Sequence, residues 1–366
     1  MPALPPTPVI DAASPCGQLI ETVRQRALHI SDAERQRVAC LQQHFDDADQ
    51  TVNPEWLASR VIAGVASRIT GSVAAAPIGQ HKYSSPYKFL LEKVWPKPMD
   101  ERGQNACAWG NRHEPDAEES FAAYLACYCL DRPNFANTGF ILRNFALEER
   151  GLMISTDPML AMSPDGILTC ELERPDGTIV TEQYLVEYKC PISFARLNEN
   201  RLARGDMHLY PPQLCPTHTK ETAAPLRPGM FVRTRSQGED HIHRIVEILH
   251  GGNSLSIRHC ETGEEQTILA RKCRFFPPCE HPPSKIACPP YYYVQQQYGM
   301  ELLNLSKSFF VTWSPGFIDL TIIERDEIYG AWIRAECKDF WFQYMLPFSC
   351  MKHTGLLRED TLEMTD

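Results

Sequence analysis

The chain has 366 residues, with 46 acidic against 36 basic side chains, a formal charge of −10, 43% hydrophobic and 22% charged residues. This composition excludes a disordered, collagen-like or mucin-like chain. The net acidity excludes binding to nucleic acid through bulk positive charge, so any such binding needs a local basic groove.

No run approaches the roughly 20 apolar residues of a membrane crossing. The opening MPALPPTPVIDAASPCG lacks the basic start and apolar segment of a secretory signal. The expected location is therefore inside a cell, in cytoplasm or nucleus, and the protein is not secreted. Its 14 cysteines fall well below the density of a disulfide scaffold and read as reduced thiols. A zinc site built from Cys215, His218, Cys273, Cys279, His281 and Cys288 is the less favoured alternative, because the spacing matches no standard finger.

In chain order, residues 1–50 read as an N-terminal tail and helix: a Pro/Ala-rich stretch, then a capping box of Ser31 and Glu34 opening a helix to about Phe45. A further helix begins near Pro54, the block RITGSVAAA follows it, and helices are predicted over 84–94 and 107–130. From 154 to 190 the pattern changes to short strands at about 159–162, 166–171, 178–180 and 184–190, with Pro175-Asp176-Gly177 turning a hairpin. A helix over 291–303, two strands and a helix over 326–345 close the pattern. A tail follows at 351–366.

Between these lies a stretch of different texture. Residues 225–270 hold four or five short strands between Pro-rich flanks, the pattern of a small SH3-like β-barrel inserted at 211–288. Its Arg233, Arg235, Arg244 and Arg258 supply local positive charge. The remaining segments, 51–210 and 289–350, form a discontinuous core, giving an α/β (α+β) chain with a mixed central sheet flanked by helices.

Four places can carry chemistry. In YLVEYKCP (184–191) strand alternation puts Leu185, Glu187 and Lys189 on one face. A carboxylate beside an ammonium can serve a metal site, though alone it is more simply a surface ion pair. The turn SPDG (163–166) brings Asp165 towards Glu187 if the two strands are antiparallel neighbours. Two carboxylates and a backbone carbonyl suit Mg²⁺ or Mn²⁺ rather than zinc. Glu114 lies on the apolar face of Ala117 and Phe121, where an isolated buried charge is costly; its simpler reading is a solvated first turn. Tyr292 and Gln295 share a helix face, otherwise an ordinary polar surface.

The order of these blocks resembles the PD-(D/E)xK nucleases, specifically the phage lambda exonuclease and YqaJ-type viral recombinase family. The matching blocks are RITGS (68–72), ACAWGNRHEPDAEESF (106–121), AMSPDGI (161–167), LVEYKCP (185–191), YYVQQQYGM (292–300) and IIERDEIY (322–329). The resemblance implies that Asp165, Glu187 and the Tyr188 carbonyl hold the divalent metal. Lys189 then positions or deprotonates the attacking water, Glu114 helps the metal site, and Gln295 is a catalytic residue. It also implies that Ser72, Ser163, Gln295 and Tyr292 hold a terminal 5′-phosphate with an arginine, either Arg68 or Arg60.

The implied activity is 5′→3′ exonuclease action on double-stranded DNA ends, leaving 3′ single strands for recombination and repair, with a single-strand-annealing protein as partner. A viral source fits such an enzyme. An endonuclease or RNase on the same scaffold, or an inert nucleic-acid-binding scaffold protein, are the alternatives. Homo-oligomerisation is left open, since the long insertion departs from the compact ring-forming phage enzyme.

Overall fold

The computed structural model describes residues 4–41, 44–46, 51–129, 135, 139–195, 209–210, 212–214, 226–236, 239–283 and 285–358. Helices α1 (Pro15–Leu28), α2 (Asp32–Ala39) and α3 (Pro54–Ser59) precede a short strand β1 (Ile69–Thr70) and the tight turn Gly71–Val73. Helices α4 (Pro86–Val94) and α5 (Glu101–Cys129) follow. Next come strands β2 (Ile141–Glu148), β3 (Met153–Ile154), β4 (Leu160–Met162), β5 (Gly166–Glu173) and β6 (Ile179–Lys189).

After β7 (Gln213–Leu214) come β8 (Phe231–Ser236), β9 (Glu239–Leu249), β10 (Ser254–His259), β11 (Glu265–Leu269) and β12 (Arg274–Phe275). Strand β13 (Lys285–Ile286) leads to α6 (Pro290–Leu303), β14 (Lys307–Ser314), β15 (Phe317–Glu324), α7 (Glu327–Phe340) and α8 (Leu346–His353). Two short ribbons pair His44–Asp46 with Thr51–Val52 and Val61–Ile62 with Ala66–Ser67.

The main sheet has the order β15-β14-β6-β5-β2 and is mixed. The β6–β14 pair is parallel and the other pairs are antiparallel. A parallel pair needs a crossover connection, and here α6 belongs to that crossover together with the whole inserted segment. Alternation along β6 divides the core as expected. Leu185 packs with Phe310 and residues of α4, α6, α7 and α8 on one face, and Tyr184, Val186 and Tyr188 pack with Ala117, Phe121 and Leu125 of α5 on the other.

A three-stranded patch sets β1 parallel to β4 and β4 antiparallel to β3. The inserted segment forms its own antiparallel sheet in the order β11-β10-β9-β8-β12, around Val232, Ile245, Leu255 and Ile257. Its first and last strands are neighbours, and it joins the rest through the two-residue ladder of β7 with β13.

Several boundaries differ from the sequence pattern. Helix α2, capped by Ser31, stops at Ala39 rather than near Phe45. Helix α1 is not announced by the pattern, yet Cys16, Val23 and Ala27 lie in the main core, so the N-terminal region is not simply a tail. Helix α5 starts at Glu101 because the Asp100 carboxylate accepts from the Gly103 N–H and caps it. The predicted strands at 178–180 and 184–190 are one strand, β6, paired with β5 from Ile179 to Val186. The final helix runs on through a π turn at Trp341–Met345 to His353.

The cysteines proposed for zinc are not drawn together. Cys273 sits in the inserted sheet's core, Cys288 in the main core, and His281 is exposed. Cys215 and His218 lie outside the described residues. The thirteen described cysteines form no disulfide among themselves.

Candidate active site

The site forms where β6 ends. The β5–β6 register pairs Val186 with Gly166, so Asp165, one residue before β5, stands opposite Glu187. The Tyr188 N–H donates to Asp165 Oδ2 at 2.7 Å. Glu187 is only 1% exposed, and its Oε2 accepts from Lys189 Nζ at 3.0 Å and Gln295 Nε2 at 2.6 Å. Lys189 Nζ also donates to the Tyr188 carbonyl at 2.9 Å and lies 3.8 Å from Asp165 Oδ2. One ammonium thus rests among three oxygen groups, the Asp165 and Glu187 carboxylates and the Tyr188 carbonyl. Glu187 Oε1 is buried without a hydrogen-bond partner.

Helix α5 reaches this cluster beside Pro115, a proline inside the helix. Proline removes one helical hydrogen bond and kinks the axis, and Glu114 precedes it. The Cys190 thiol donates to the His113 carbonyl at 3.3 Å and ties the helix to the end of β6. Burial, then the Asp165 charge, pushes the Glu114 carboxyl up to about 7. Burial, then Asp165, also holds Glu187 well above the usual carboxylate range. Burial alone would lower Lys189, but the Glu187 and Asp165 charges outweigh it and raise it. A carboxylate set that resists ionisation with only one lysine to balance it is a set suited to a further positive charge. Among the described residues no three His, Cys, Asp or Glu side chains are arranged as a metal shell; the oxygen set here is two carboxylates and a backbone carbonyl.

Parallel pairing sets Thr70 beside Ala161, so Ser72 and Ser163 each lie two residues beyond a matched pair. A Cβ on Gly71 would lie 2.2 Å from Met162 Sδ and 3.6 Å from Gln295 Cγ, so the absent side chain lets this turn sit directly against α6. Gln295 is nevertheless engaged with Glu187 first, which makes it a positioning residue for that carboxylate. Tyr292 lies under Lys189, whose Nζ is 5.5 Å from the ring centroid.

The two arginines part company. Arg68 is buried, donating to the Ser59 carbonyl at 2.9 Å and to the Pro158 carbonyl, and burial lowers it to about 10. Those two contacts tie the strand patch together. Arg60 lies over the Trp56 ring at 4.7 Å and donates to Thr70 Oγ1 at 2.8 Å, beside the Ser72 turn. Sequence reasoning passed over Thr70, although it lies inside the RITGS block, and it could not see the Cys190–His113 tie, which spans 77 residues.

Fold and site together define a mixed α+β chain with a buried carboxylate–lysine centre at the end of a central strand. Residues 55–215 match the model of the YqaJ-like viral recombinase domain. No curated protein matches the sequence. Among solved structures the chain is similar to the crystal structure of an alkaline exonuclease (LHK-Exo) from Laribacter hongkongensis. The TM-score is 0.40 and the identity 16%, over 83% of this chain and 98% of that one. No described helix is long and apolar enough to cross a membrane.

Proposed function

We propose that the protein is a divalent-metal-dependent 5′→3′ exonuclease acting on double-stranded DNA ends and leaving a 3′ single strand for recombination. The observation that carries this is the convergence of Asp165, Glu187 and the Tyr188 carbonyl on one ammonium, with Glu187 Oε1 buried and unpartnered. Asp165, Glu187 and the Tyr188 carbonyl would hold Mg²⁺ or Mn²⁺, and Glu114 stands behind them. When bound, the metal polarises the scissile phosphate and lowers the pKa of a water.

Lys189 leaves its place among the oxygens and positions the attacking water. Gln295 keeps Glu187 Oε2 oriented. Arg60 with Ser72 and Ser163 grips the terminal 5′-phosphate, a dianion that a guanidinium and two hydroxyls bind better than an internal monoanionic phosphate. The exposed 3′ strand is then available to a single-strand-annealing protein.

The inserted segment 211–288 is in this reading a separable SH3-like barrel. Arg233 is 3.5 Å from Asp240 and Arg258 2.5 Å from Glu265. Charges already paired in this way favour partner recruitment over an extended DNA track.

The test is degradation of end-labelled duplex in Mg²⁺. Glu187→Ala, Asp165→Ala and Lys189→Ala should each lose far more than the tenfold that corresponds to about 1.4 kcal/mol of barrier, while still binding DNA. A variant that keeps a tenth of the wild-type rate overturns the assignment. Linear duplexes with 5′-phosphate should be cut faster than those with 5′-hydroxyl, and closed circles not at all. Rapid cutting of the circle selects the endonuclease alternative.

A further inference from the structure

The catalytic centre is recessed, with Glu187 buried and Lys189 largely so. A recessed centre favours a strand that has left its partner over its terminal nucleotides. Bases taken out of the stack lose their neighbours. A surface offering aromatic rings beside positive charge replaces those contacts without regard to sequence.

A row of such rings starts at the catalytic lysine. Tyr292, under Lys189, has its ring centroid 4.4 Å from that of Tyr291. Tyr291 lies 5.3 Å from His81 and 6.2 Å from Tyr83, and His81 and Tyr83 are 6.0 Å apart. Tyr291 and Tyr292 pack against the core, but Tyr83 does not; it is 64% exposed, with Lys82 Nζ 5.1 Å from its ring centroid. In sequence, the segment holding His81 and Tyr83 lies between the Ser72 turn and α4. An exposed tyrosine braced by His81 and Tyr291 contributes little to the core. It is well placed to meet a base.

We propose that Tyr83 and His81, backed by Tyr291, form a stacking platform for the unpaired terminal nucleotides of the strand entering the catalytic centre. The inference rests on the nucleic-acid reading above but does not require hydrolysis. It makes ends with a short 5′ single-stranded flap better ligands than blunt ends.

The experiment uses the full chain in Ca²⁺, with a duplex bearing a two-nucleotide 5′ flap that carries 2-aminopurine at its terminal position. Dissociation constants and fluorescence are compared for wild type, Tyr83→Ala and Tyr83→Phe. Tyr83→Ala should weaken flap binding about tenfold or more and abolish the fluorescence change, whereas Tyr83→Phe should stay within about twofold of wild type. Equal binding by wild type and Tyr83→Ala overturns the platform, as does a Tyr83→Phe loss as large as that of Tyr83→Ala. If wild type binds the flap in this Tyr83-dependent way yet cuts nothing in Mg²⁺ or Mn²⁺, hydrolysis fails and the platform stands. If it cuts duplex ends while Tyr83→Ala binds and cuts flaps unchanged, only the platform fails.

Discussion

Glu114 and Glu187 hold protons more tightly in the folded chain than an exposed carboxylate does, because burial and the neighbouring Asp165 charge oppose ionisation. For Glu114 the folded value of about 7 exceeds the ordinary 4.5. Its contribution to stability is therefore fully present below 4.5 and is lost as pH rises through about 7. The metal-free protein should show this as a fall in Tm across that window, and Glu114→Gln should flatten the fall. A Tm profile identical in the variant would remove Glu114 from the cluster.

The arginines give a second prediction at this scale. Arg68→Ala leaves one buried and one part-buried carbonyl without their donor and should cost about 1–3 kcal/mol of stability, read from denaturant unfolding. Arg60→Ala should leave stability closer to wild type but erase the preference for a 5′-phosphate in initial rates. Asp165, Glu187 and Lys189 were legible because strand alternation and a Pro-Asp-Gly turn are local signals. The choice between Arg60 and Arg68 was not legible, since it depends on the Pro158 carbonyl, 90 residues from Arg68.

Among the elements, α6 must lie close to the sheet for Gln295 to reach Glu187. Gly299 allows that approach, since a Cβ there would lie 2.7 Å from Leu185 Cδ2 and 3.1 Å from Met162 Cε. Gly299→Ala should cost about 1–3 kcal/mol by overpacking and lower the hydrolytic rate by shifting Gln295. A variant of full activity and unchanged unfolding midpoint would show that the interface yields. The sequence pattern placed α6 within a residue of its start, because the prolines that open it are a local signal. It split β6 in two, because Thr181-Glu182-Gln183 reads as a polar break. The pairing of those residues with Thr169, Cys170 and Glu171 of β5 is what keeps them extended.

For the whole molecule, the insertion has a core of its own and a two-residue neck. Excising 226–275 and bridging the gap with a short flexible linker should leave hydrolysis of short duplexes within about threefold of wild type, roughly 0.6 kcal/mol of barrier, while partner capture or affinity for longer DNA falls. Residues 277–288 should be kept, because the Glu280 N–H donates to Asp326, which caps α7. An unfolded product would show instead that the two sheets fold as one unit. Texture and Pro-rich flanks made this segment legible in the sequence. The neck was not legible, because two residues of pairing leave no periodicity to read.

The parallel pairing of β6 with β14 also sets a schedule. A ribosome that has reached residue 215 has made the whole family-matched segment, with Asp165, Glu187 and Lys189 included. It has made neither the strand that borders β6 on that side nor the helix that orients Glu187. Contacts between residues so far apart in sequence form late. A growing chain therefore carries the candidate catalytic residues without their supporting elements until nearly all of it has emerged. A fragment ending at 215 should accordingly be protease-sensitive and inactive on DNA, and adding the segment from 285 onward in trans is the direct way to see whether the blade can be completed after synthesis.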